Sequence, residues 1–391
     1  MKNRFTVIEI SHKYIKIAII SVVEGKLVVH YAKKHAIPQC IEGGAIRDKA
    51  TLLKALSKIN PINDDGLHIH ELISESILVL PPYGYEIYTT KQSTPVMAKE
   101  HIVQYQDIRN LYSLISNKKL PVDNELIDII PEYFLIDNQD KYAVPPIGKE
   151  TRGIFVAAYV HTLPKKINAD YSDLLLRSGI KISHRIVSSY ALSELLINDT
   201  NVPSSFYLVD LGANTTNVTL VGENRIFGSR SFGWGGDNIT ERIIECFNIN
   251  EKEAESIKNL FGYDTRKMDF DYKLSSNGHK REDLNKIITE SLDRLMNSLS
   301  VCLENLANVY QVDNYQDLPI FFVGGASKLH GMLDYMKEKY EKDNIYLYHS
   351  KVLGARDPSL YALIGAALIN NKYPGVVEEI NDYTSPVSRE D

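Results

Sequence analysis

Two stretches far apart in the chain repeat the same arrangement of apolar and polar positions. In the first, three apolar runs follow one another, at residues 5–11, 14–23 and 26–32. The second lies about half a chain later, with apolar runs at residues 206–212, 217–221 and 225–231. The pattern predicts a meander of three β-strands in each half of the chain.

One carboxylate stands inside the first apolar run of each copy, just before the turn. These residues are Glu9 and Asp210. A buried carboxylate without a partner is costly, so both positions call for a cation or for strong hydrogen-bond donors. Two such acids facing each other across a cleft suit a magnesium–nucleotide site, because Mg²⁺ is commonly held by one or two carboxylates together with phosphate oxygens.

Helical and extended patterns alternate through the remaining chain, which predicts a mixed α/β sheet in each half. Asp48 is the expected N-cap of the first helix. Further helices are expected at residues 99–116, 165–178, 190–197, 238–247, 252–261 and 281–308. The last of these has an apolar stripe at helical spacing: Leu284, Ile287, Ile288, Leu292, Leu295 and Leu299. Segment 81–162, with short strands expected at 86–90, 126–131, 133–137 and 153–161, has no counterpart in the second half. We therefore interpret it as an inserted α+β subdomain.

Composition narrows the class of protein. The 391 residues suffice for two or three domains, and 44% apolar with 24% charged residues is typical of a soluble globular protein. A net charge of −6 argues against general nucleic-acid binding, which requires a basic surface. The cysteines have neither metal-ligand nor redox spacing. With no signal peptide and no apolar run long enough to span a bilayer, a cytoplasmic location is expected.

Three glycine-rich segments are candidates for contact with phosphate. Gly212-Ala213-Asn214-Thr215-Thr216 follows a buried strand, and its alternative interpretation is an ordinary hairpin turn. Gly324-Gly325-Ala326-Ser327 is predicted to join a strand to a helix N-terminus, where free amides favour an anion; the alternative is a tight strand–helix turn. Gly233–Asp237 precedes a helix and is either a close approach to a ligand or a helix-capping loop.

These features resemble a known superfamily. The duplicated acid-bearing meander and the Gly-Gly loop are similar to the phosphate 1, phosphate 2 and adenosine motifs of the actin/hexokinase/chaperone superfamily. Within it, the chain resembles the FtsA family, bacterial actin homologues that tether the division protein FtsZ to the membrane. The resemblance runs from about residue 5 to residue 370 and includes the segments Gly43–Asp48, Ile129–Asp137, Gly235–Thr240, Glu253–Lys258 and Asp357–Ala362.

The resemblance implies a two-domain, actin-like (ribonuclease-H-like) α/β fold with an inserted α+β subdomain of the FtsA type. Five units are expected: residues 1–80 plus 163–200 (subdomain 1A), 81–162 (the inserted subdomain 1C), 201–245 plus 309–370 (2A), 246–308 (2B) and a disordered tail at 371–391.

The resemblance also implies a site for ATP and Mg²⁺. Glu9 and Asp210 would hold the metal, partly through water. Glu255 and Lys258, on one helical face, would hold the ribose and the adenine edge, and their alternative is a plain surface ion pair. Whether GTP is preferred to ATP is left open. The nucleotide-binding set implied is Ser11, His12, Lys13, Gly212, Ala213, Asn214, Thr215, Gly236, Glu255, Lys258, Gly324, Gly325 and Ser327.

Several positions depart from the family pattern. Ser11 and His12 stand where the family has glycine and a small hydroxyl residue, and Asn217 stands in place of an aspartate. Ser188 occupies the place of the glutamate beside the attacking water, so ATP binding with very slow hydrolysis, at most a weak ATPase, is expected. The alternative is that Glu194 supplies the missing carboxylate.

Partners follow from the same resemblance. The acidic C-terminal tail of FtsZ would bind the long helix near Lys286 and Arg294, although Ser291 and Asp293 stand where basic side chains are expected. Self-association into filaments would be head-to-tail. A location at the inner face of the cell membrane is implied, but the acidic, proline-containing segment 376–391 has no wide apolar face for membrane binding.

Two other functions remain open. The first is a cytoplasmic scaffold of the PilM type, an actin homologue of pilus assembly that binds a short peptide. The second is a phosphotransferase of the sugar-kinase or polyphosphatase type, which requires an acceptor-site acid between the halves. No such acid stands at a suitable place in the sequence.

Overall fold

The computed structural model describes residues 4–98, 100–137, 140–264, 274, 278–341 and 343–372. The strands are β1 (Arg4–Ile10), β2 (Tyr14–Val23), β3 (Lys26–Ala36), β4 (Ile41–Glu42), β5 (Ala45–Ile46), β6 (Ile62–Asp64), β7 (Ile69–Glu71), β8 (Glu75–Leu80), β9 (Glu86–Pro95), β10 (Asn124–Ile136), β11 (Asp140–Tyr142), β12 (Gly153–Pro164), β13 (Lys181–Val187), β14 (Phe206–Leu211), β15 (Thr216–Gly222), β16 (Arg225–Phe232), β17 (Ile320–Val323) and β18 (Ile345–Leu347). The helices are α1 (Lys49–Ile59), α2 (Tyr105–Ser116), α3 (Lys165–Arg177), α4 (Ser188–Ile197), α5 (Gly236–Phe247), α6 (Glu251–Phe261), α7 (Arg281–Tyr310), α8 (Met332–Tyr340) and α9 (Tyr361–Lys372).

The two large sheets have the same strand order. One runs β13-β8-β1-β2-β3 and the other β18-β17-β14-β15-β16. In each sheet the three-strand meander is antiparallel, while the two strands on its other side are parallel to the first strand of the meander. The duplication and the mixed α/β architecture predicted from the sequence are confirmed.

The segment between β8 and α3 forms a third sheet, in the order β11-β10-β12-β9, with α2 packed on it. Its apolar side chains form a separate core, including Leu111, Phe134 and Val156. The strands predicted at 126–131 and 133–137 are one strand, β10, with an irregular register between Pro131 and Tyr133.

The helix predicted to begin at residue 99 begins instead at Tyr105. His101 adopts a left-handed backbone conformation, with φ of 51°, which a continuous helix does not allow. The new start is capped because the side chain of Asp107 accepts a hydrogen bond of 2.9 Å from the backbone amide of Gln104. Lys99 lies outside the described residues.

The start of α1 and the buried face of α7 agree with the sequence prediction. Asp48 caps α1, with its carboxylate accepting a 3.0 Å hydrogen bond from the backbone amide of Thr51, as predicted. Along α7 the predicted stripe lies in the core of the second half: Leu284, Ile287, Ile288, Leu292, Leu295 and Leu299. None of the helices in the described part of the chain is apolar over a length that could cross a bilayer.

The last helix corrects one expected boundary. Residues up to 370 were assigned to the second half, but α9 packs against α4, β1 and β2 of the first half. Gly365 permits this approach, because a Cβ atom there would lie 1.8 Å from the carbonyl oxygen of Ala191. The chain therefore crosses back to the first half before it reaches α9.

Candidate functional site

A cleft of about 1090 Å³ lies between the two halves, where the acid-bearing ends of β1 and β14 meet. All but one of the nucleotide and metal positions implied by the family resemblance line this cleft, together with Ser188. The exception is Ser327, which is buried and donates a 2.8 Å hydrogen bond to the carbonyl oxygen of Gly324. Ser327 therefore stabilises the turn instead of facing the cleft.

Glu9 and Asp210 lie in equivalent positions of their sheets. Each is the penultimate residue of its strand, paired across the meander with Lys16 and Asn217, respectively. Oε1 of Glu9 accepts a 2.7 Å hydrogen bond from Nζ of Lys16, whereas Oε2 is buried with no partner among the described residues. A second ligand is therefore needed at Oε2.

Asp210 is electrostatically poised for a cation. Burial raises the pKa of its carboxyl group from 3.8 to about 6, and the charge of Glu9 adds to the rise while Lys16 opposes it. Among the described residues no cluster of three or more metal-ligating side chains is found. Two carboxylates with one unpaired oxygen fit a Mg²⁺ ion that keeps waters and binds phosphate oxygens.

The loop after β14 is fixed against the start of α5. The carbonyl oxygens of Gly212 and Ala213 accept hydrogen bonds of 3.0 and 2.7 Å from the amides of Gly236 and Asp237. A Cβ atom on Gly235 would lie 2.2 Å from the carbonyl oxygen of Ala213, so the two backbones touch. The glycine-rich segment before α5 thus supports the loop and also lines the cleft through Gly236.

The loop between β1 and β2 differs from a simple phosphate-binding loop. Ser11 closes the turn, because its amide and its Oγ both donate to the carbonyl oxygen of Tyr14, at 2.8 and 3.0 Å. Nδ1 of His12 lies 2.7 Å from the carbonyl oxygen of Ile41 and 3.2 Å from Nδ2 of Asn214. The bulky imidazole therefore reaches across to the loop of the second half.

Lys13 also reaches the second half. Its Nζ lies 2.6 Å from Asp237, 3.4 Å from Glu251 and 3.7 Å from Glu255. Partial burial lowers the pKa of Lys13, but the hydrogen bond and charge of Asp237 outweigh it and the pKa is raised overall. The family resemblance implied that Lys13 binds nucleotide, yet in this structure its charge is engaged by carboxylates.

Glu255 and Lys258 are not a plain surface pair. Nζ of Lys258 is buried and donates to the carbonyl oxygen of Gly236 at 3.1 Å, to Oγ1 of Thr240 at 2.6 Å and to Oε1 of Glu255 at 2.7 Å. Although burial acts against its ionised form, the charge of Lys258 lowers the pKa of Glu255. The pair joins α6 to α5 at the wall of the cleft.

Gly324 meets the Asp210 carboxylate directly. Its φ is +88°, and a Cβ atom there would lie 2.3 Å from Oδ1 of Asp210. Only glycine fits such a conformation and such a contact without strain. Gly325 has an ordinary helical backbone and would tolerate a Cβ atom, which would lie 3.7 Å from Cβ of Ser359.

The helix expected directly after Gly325 is not there. Residues Ala326–Lys328 form a single 3₁₀ turn, and α8 begins only at Met332. The prediction of a helix N-terminus at the Gly-Gly loop is therefore wrong. What the loop offers a ligand is close backbone approach rather than the dipole of a helix.

The family resemblance places Ser188, which has no carboxylate, where a glutamate would position the attacking water. Ser188 is the first residue of α4 and lines the cleft. Glu194 does not line it, and its Oε2 accepts a 3.0 Å hydrogen bond from Nζ of Lys372 on α9. Asn217 is occupied by neighbouring hydroxyl groups, including a 2.8 Å hydrogen bond from Ser189. The alternative that Glu194 supplies the missing acid is thus not supported.

Sequence reasoning missed two cleft residues. Lys16 could have been found from the hairpin register, since it lies directly across from Glu9. Tyr83, after β8, covers Gly44 so closely that a Cβ atom there would meet its ring. Burial raises the pKa of the Tyr83 hydroxyl group, and the side chain of Thr215 partly opposes that rise. No local pattern marks Tyr83.

The residues expected to bind a partner protein lie outside this cleft. Lys286 and Arg294 are exposed on α7, and Arg294 lines a polar hollow of about 430 Å³ between α5 and α7. Ser291 is buried. Asp293 is held by Lys339 and by the hydroxyl groups of two tyrosines. The two positions where basic residues were expected are therefore not part of an open basic surface.

Comparison with known proteins identifies the relatives of this chain. A family model described as cell division protein FtsA matches residues 207–365. Cell division protein FtsA of Streptococcus pneumoniae serotype 2 (strain D39) is 23% identical over 312 residues, which is 77% of this chain and 65% of that protein. FtsA of Bacillus subtilis (strain 168) is 22% identical over 71% of this chain and 64% of its own length. The match thus spans just under two thirds of these relatives.

Solved structures support the fold. A chain of the PilM-PilN type IV pilus biogenesis complex superposes with a TM-score of 0.61 at 16% identity, covering 94% of this chain and 98% of that chain. MreB5 of Spiroplasma citri, solved with ADP, superposes with a TM-score of 0.51 at 12% identity, covering 98% and 99%. The chain is therefore similar to the cell division protein FtsA over 71–77% of its length, and it has the actin-like ATPase fold.

Proposed function

We propose that this chain is an actin-like cell division protein that binds ATP with Mg²⁺ in the cleft between its halves. The observation that carries the proposal is the pair of acids at equivalent strand ends. One has a buried oxygen without a partner among the described residues, and the other has a raised pKa. Mg²⁺ would neutralise charge on the phosphate oxygens. Glu9 and Asp210 would hold it, partly through water.

The remaining residues of the cleft have distinct roles in this proposal. Lys16, already beside Glu9, places a positive charge at the floor of the cleft. The loop from Gly212 to Thr215 offers backbone amides and hydroxyl groups to phosphates. Gly324 and Gly325 let the backbone approach the adenosine closely. Glu255 and Lys258 form the wall at the ribose and the adenine edge.

The proposed role of ATP is structural, with very slow turnover. Ser188 is too short and too weak a base to orient a water molecule as a glutamate does, and Glu194 is engaged elsewhere. General-base assistance typically contributes about 10²–10⁴-fold to a rate. ATP would therefore bind the two halves together and permit head-to-tail filaments, with self-association through contacts that do not close into a ring.

The proposed partner is the acidic C-terminal tail of FtsZ. Lys286 and Arg294, exposed on α7, are the candidate contacts. The neighbouring Glu241, Glu245 and Glu290 around the hollow make this surface less basic than such a tail requires, so binding is expected to be weak. A location at the inner face of the cell membrane is part of the proposal. Attachment would be through a segment outside residues 4–372 or through a partner; the segment 376–391 lies outside the described residues.

Calorimetric titration of the intact chain tests the proposal. ATP injected into protein with excess Mg²⁺ should give one binding site per chain, and omission of Mg²⁺ should weaken it strongly. The same titration with GTP determines base preference. No binding heat at millimolar ATP, at two temperatures, would end the proposal.

A second candidate is a PilM-type scaffold of pilus assembly. It is favoured by the superposition on a chain of the PilM-PilN complex, which covers nearly all of both chains. Pull-down with the FtsZ tail and, in parallel, with a pilus inner-membrane peptide separates the two functions. Retention of only the second peptide would replace the division role with the pilus role.

A further inference from the structure

We propose that Lys13 is a latch that holds the two halves of the molecule closed across the cleft, independently of nucleotide. Lys13 lies in the turn between β1 and β2, in the first half. Its Nζ is bound by three carboxylates of the second half, at 2.6, 3.4 and 3.7 Å. This closure goes beyond nucleotide binding and does not require it.

The three carboxylates come from two helix starts. Asp237 is in the first turn of α5, Glu251 is the first residue of α6, and Glu255 lies one turn further along α6. Acidic side chains are favoured at helix N-termini because of the helix dipole. This placement gathers negative charge from two elements at one point, directly opposite the turn that carries Lys13.

The contact with Asp237 is the strongest of the three. The side chains of Lys13 and Asp237 are only 25% and 15% exposed, so water screens this pair less than an ordinary surface pair. Among the described residues, the other basic side chain near Asp237 is His12, whose Nε2 lies 4.0 Å from Oδ2. Glu255, by contrast, already has Lys258. Opening the cleft would leave the Asp237 carboxylate without its principal partner.

A second contact stands beside the latch. His12, the residue before Lys13, lies 3.2 Å from the Asn214 side chain of the second half. Two consecutive residues of one turn thus span the cleft. Because both contacts join groups more than 200 positions apart in the chain, they fix the relative position of the two halves and not a local turn.

Distance measurement between spin labels on ligand-free protein tests the latch. Cys246, exposed near the end of α5, provides one label site, while the other two cysteines are buried. Lys54→Cys on the exposed face of α1 provides the second, in the first half. In this doubly labelled background, Lys13→Ala should shift the distances to longer values and broaden their distribution.

Two further variants make the test specific. Asp237→Asn removes the other end of the latch and should shift the distances in the same direction. Lys252→Ala is the control, because Lys252 is a neighbouring exposed lysine that lines the same cleft. No ion pair of Lys252 is found in the described part of the chain, so the label distances in this variant should match those of the parent. Circular dichroism and a cooperative melt establish that each variant is folded. Unchanged distances in both folded variants, Lys13→Ala and Asp237→Asn, or an equal shift in Lys252→Ala, would overturn the latch.

Discussion

Glu9 and Asp210 face the same cleft from corresponding ends of two sheets with the same strand order. Their cross-strand partners differ: Glu9 is opposite Lys16, whereas Asp210 is opposite Asn217. The first acid is therefore half-satisfied by a lysine, and the second has no cation of its own on the neighbouring strand. This asymmetry predicts that Asp210 contributes more to metal binding than Glu9 does.

Asp210→Asn should remove the stabilisation that ATP and Mg²⁺ give together. The amide keeps the size of the side chain but loses the charge that attracts the metal. Thermal denaturation with and without Mg²⁺-ATP is the measurement, because a ligand that binds only the folded state raises the midpoint. Glu304→Gln, an exposed acid on α7, is the matched control and should retain the full shift. An undiminished shift in Asp210→Asn would show that the metal site lies elsewhere.

The same residue predicts a pH dependence. The pKa of Asp210 is raised by burial from 3.8 to about 6. Its protonated form therefore contributes stability that is present below pH 3.8 and is lost as the pH rises through about 6. Without metal, the melting temperature of Asp210→Asn relative to the parent should be higher at pH 7.5 than at pH 4.5. A constant difference between the two proteins across this range would contradict the raised pKa.

The proton also competes with the metal. Mg²⁺ requires the ionised carboxylate, so the stabilisation of the parent by Mg²⁺-ATP should decrease as the pH falls from 7.5 to 5.5. Thermal denaturation at both pH values measures this, with the Glu304→Gln variant as the control for general acid effects. Equal stabilisation at the two values would mean that Asp210 is not a ligand.

The two glycines of the Gly-Gly loop should respond differently to alanine. Gly324→Ala combines a positive φ with a contact on Oδ1 of Asp210, and a cost of about 1–3 kcal/mol is expected in the free energy of unfolding. Gly325→Ala has an ordinary backbone and ordinary space, so it should change stability little. Denaturant unfolding of both variants measures the difference. Equal effects would contradict the described geometry of the loop.

Much of this architecture was predictable because it follows from local patterns. The three successive apolar runs in each half predicted both meanders. The spacing of Leu284, Ile288 and Leu292 predicted the buried face of α7. Residue types do not reveal which side chains meet across the cleft. The partners of Lys13 come from helices more than 200 residues away, so only the folded chain shows them.

Two wrong predictions also have physical causes. A helical pattern extends from residue 99, but the left-handed backbone conformation of His101 interrupts the helix. The residue types in this segment do not predict that conformation. A helix was expected directly after the Gly324-Gly325 segment that follows the apolar strand. Here a 3₁₀ turn comes first, fixed by Ser327 on the carbonyl oxygen of Gly324.

Restoring a carboxylate at Ser188 should accelerate hydrolysis. Ser188→Glu places an acid at the first position of α4, where the helix dipole favours it, and beside the proposed site of the attacking water. Phosphate release should rise by roughly 10-fold or more, given the usual worth of general-base help. Glu194→Gln should leave the rate unchanged. Parent turnover of about 1 s⁻¹ or faster, typical of enzymes, would contradict the structural role of ATP.

Binding of the FtsZ tail should depend on charge at α7. The double variant Lys286→Ala/Arg294→Ala should bind a tail peptide more weakly, and the affinity of the parent should fall with added salt, since exposed charges are screened. Fluorescence anisotropy with a labelled peptide is the measurement. Lys54→Ala/Lys58→Ala on α1 is a control with the same change in net charge. Affinity that is indifferent to salt and to the α7 variant would remove this surface from the proposal.

A crystal structure determined after soaking with ATP and Mg²⁺ tests the central claim most directly. The predicted result is electron density for a metal ion between Glu9 and Asp210, with the phosphates along residues 212–215 and the adenosine beside Gly324 and Gly325. Nucleotide bound outside the cleft, or a cleft filled only by solvent at saturating ATP, would contradict the proposal that these two acids form a magnesium–nucleotide site.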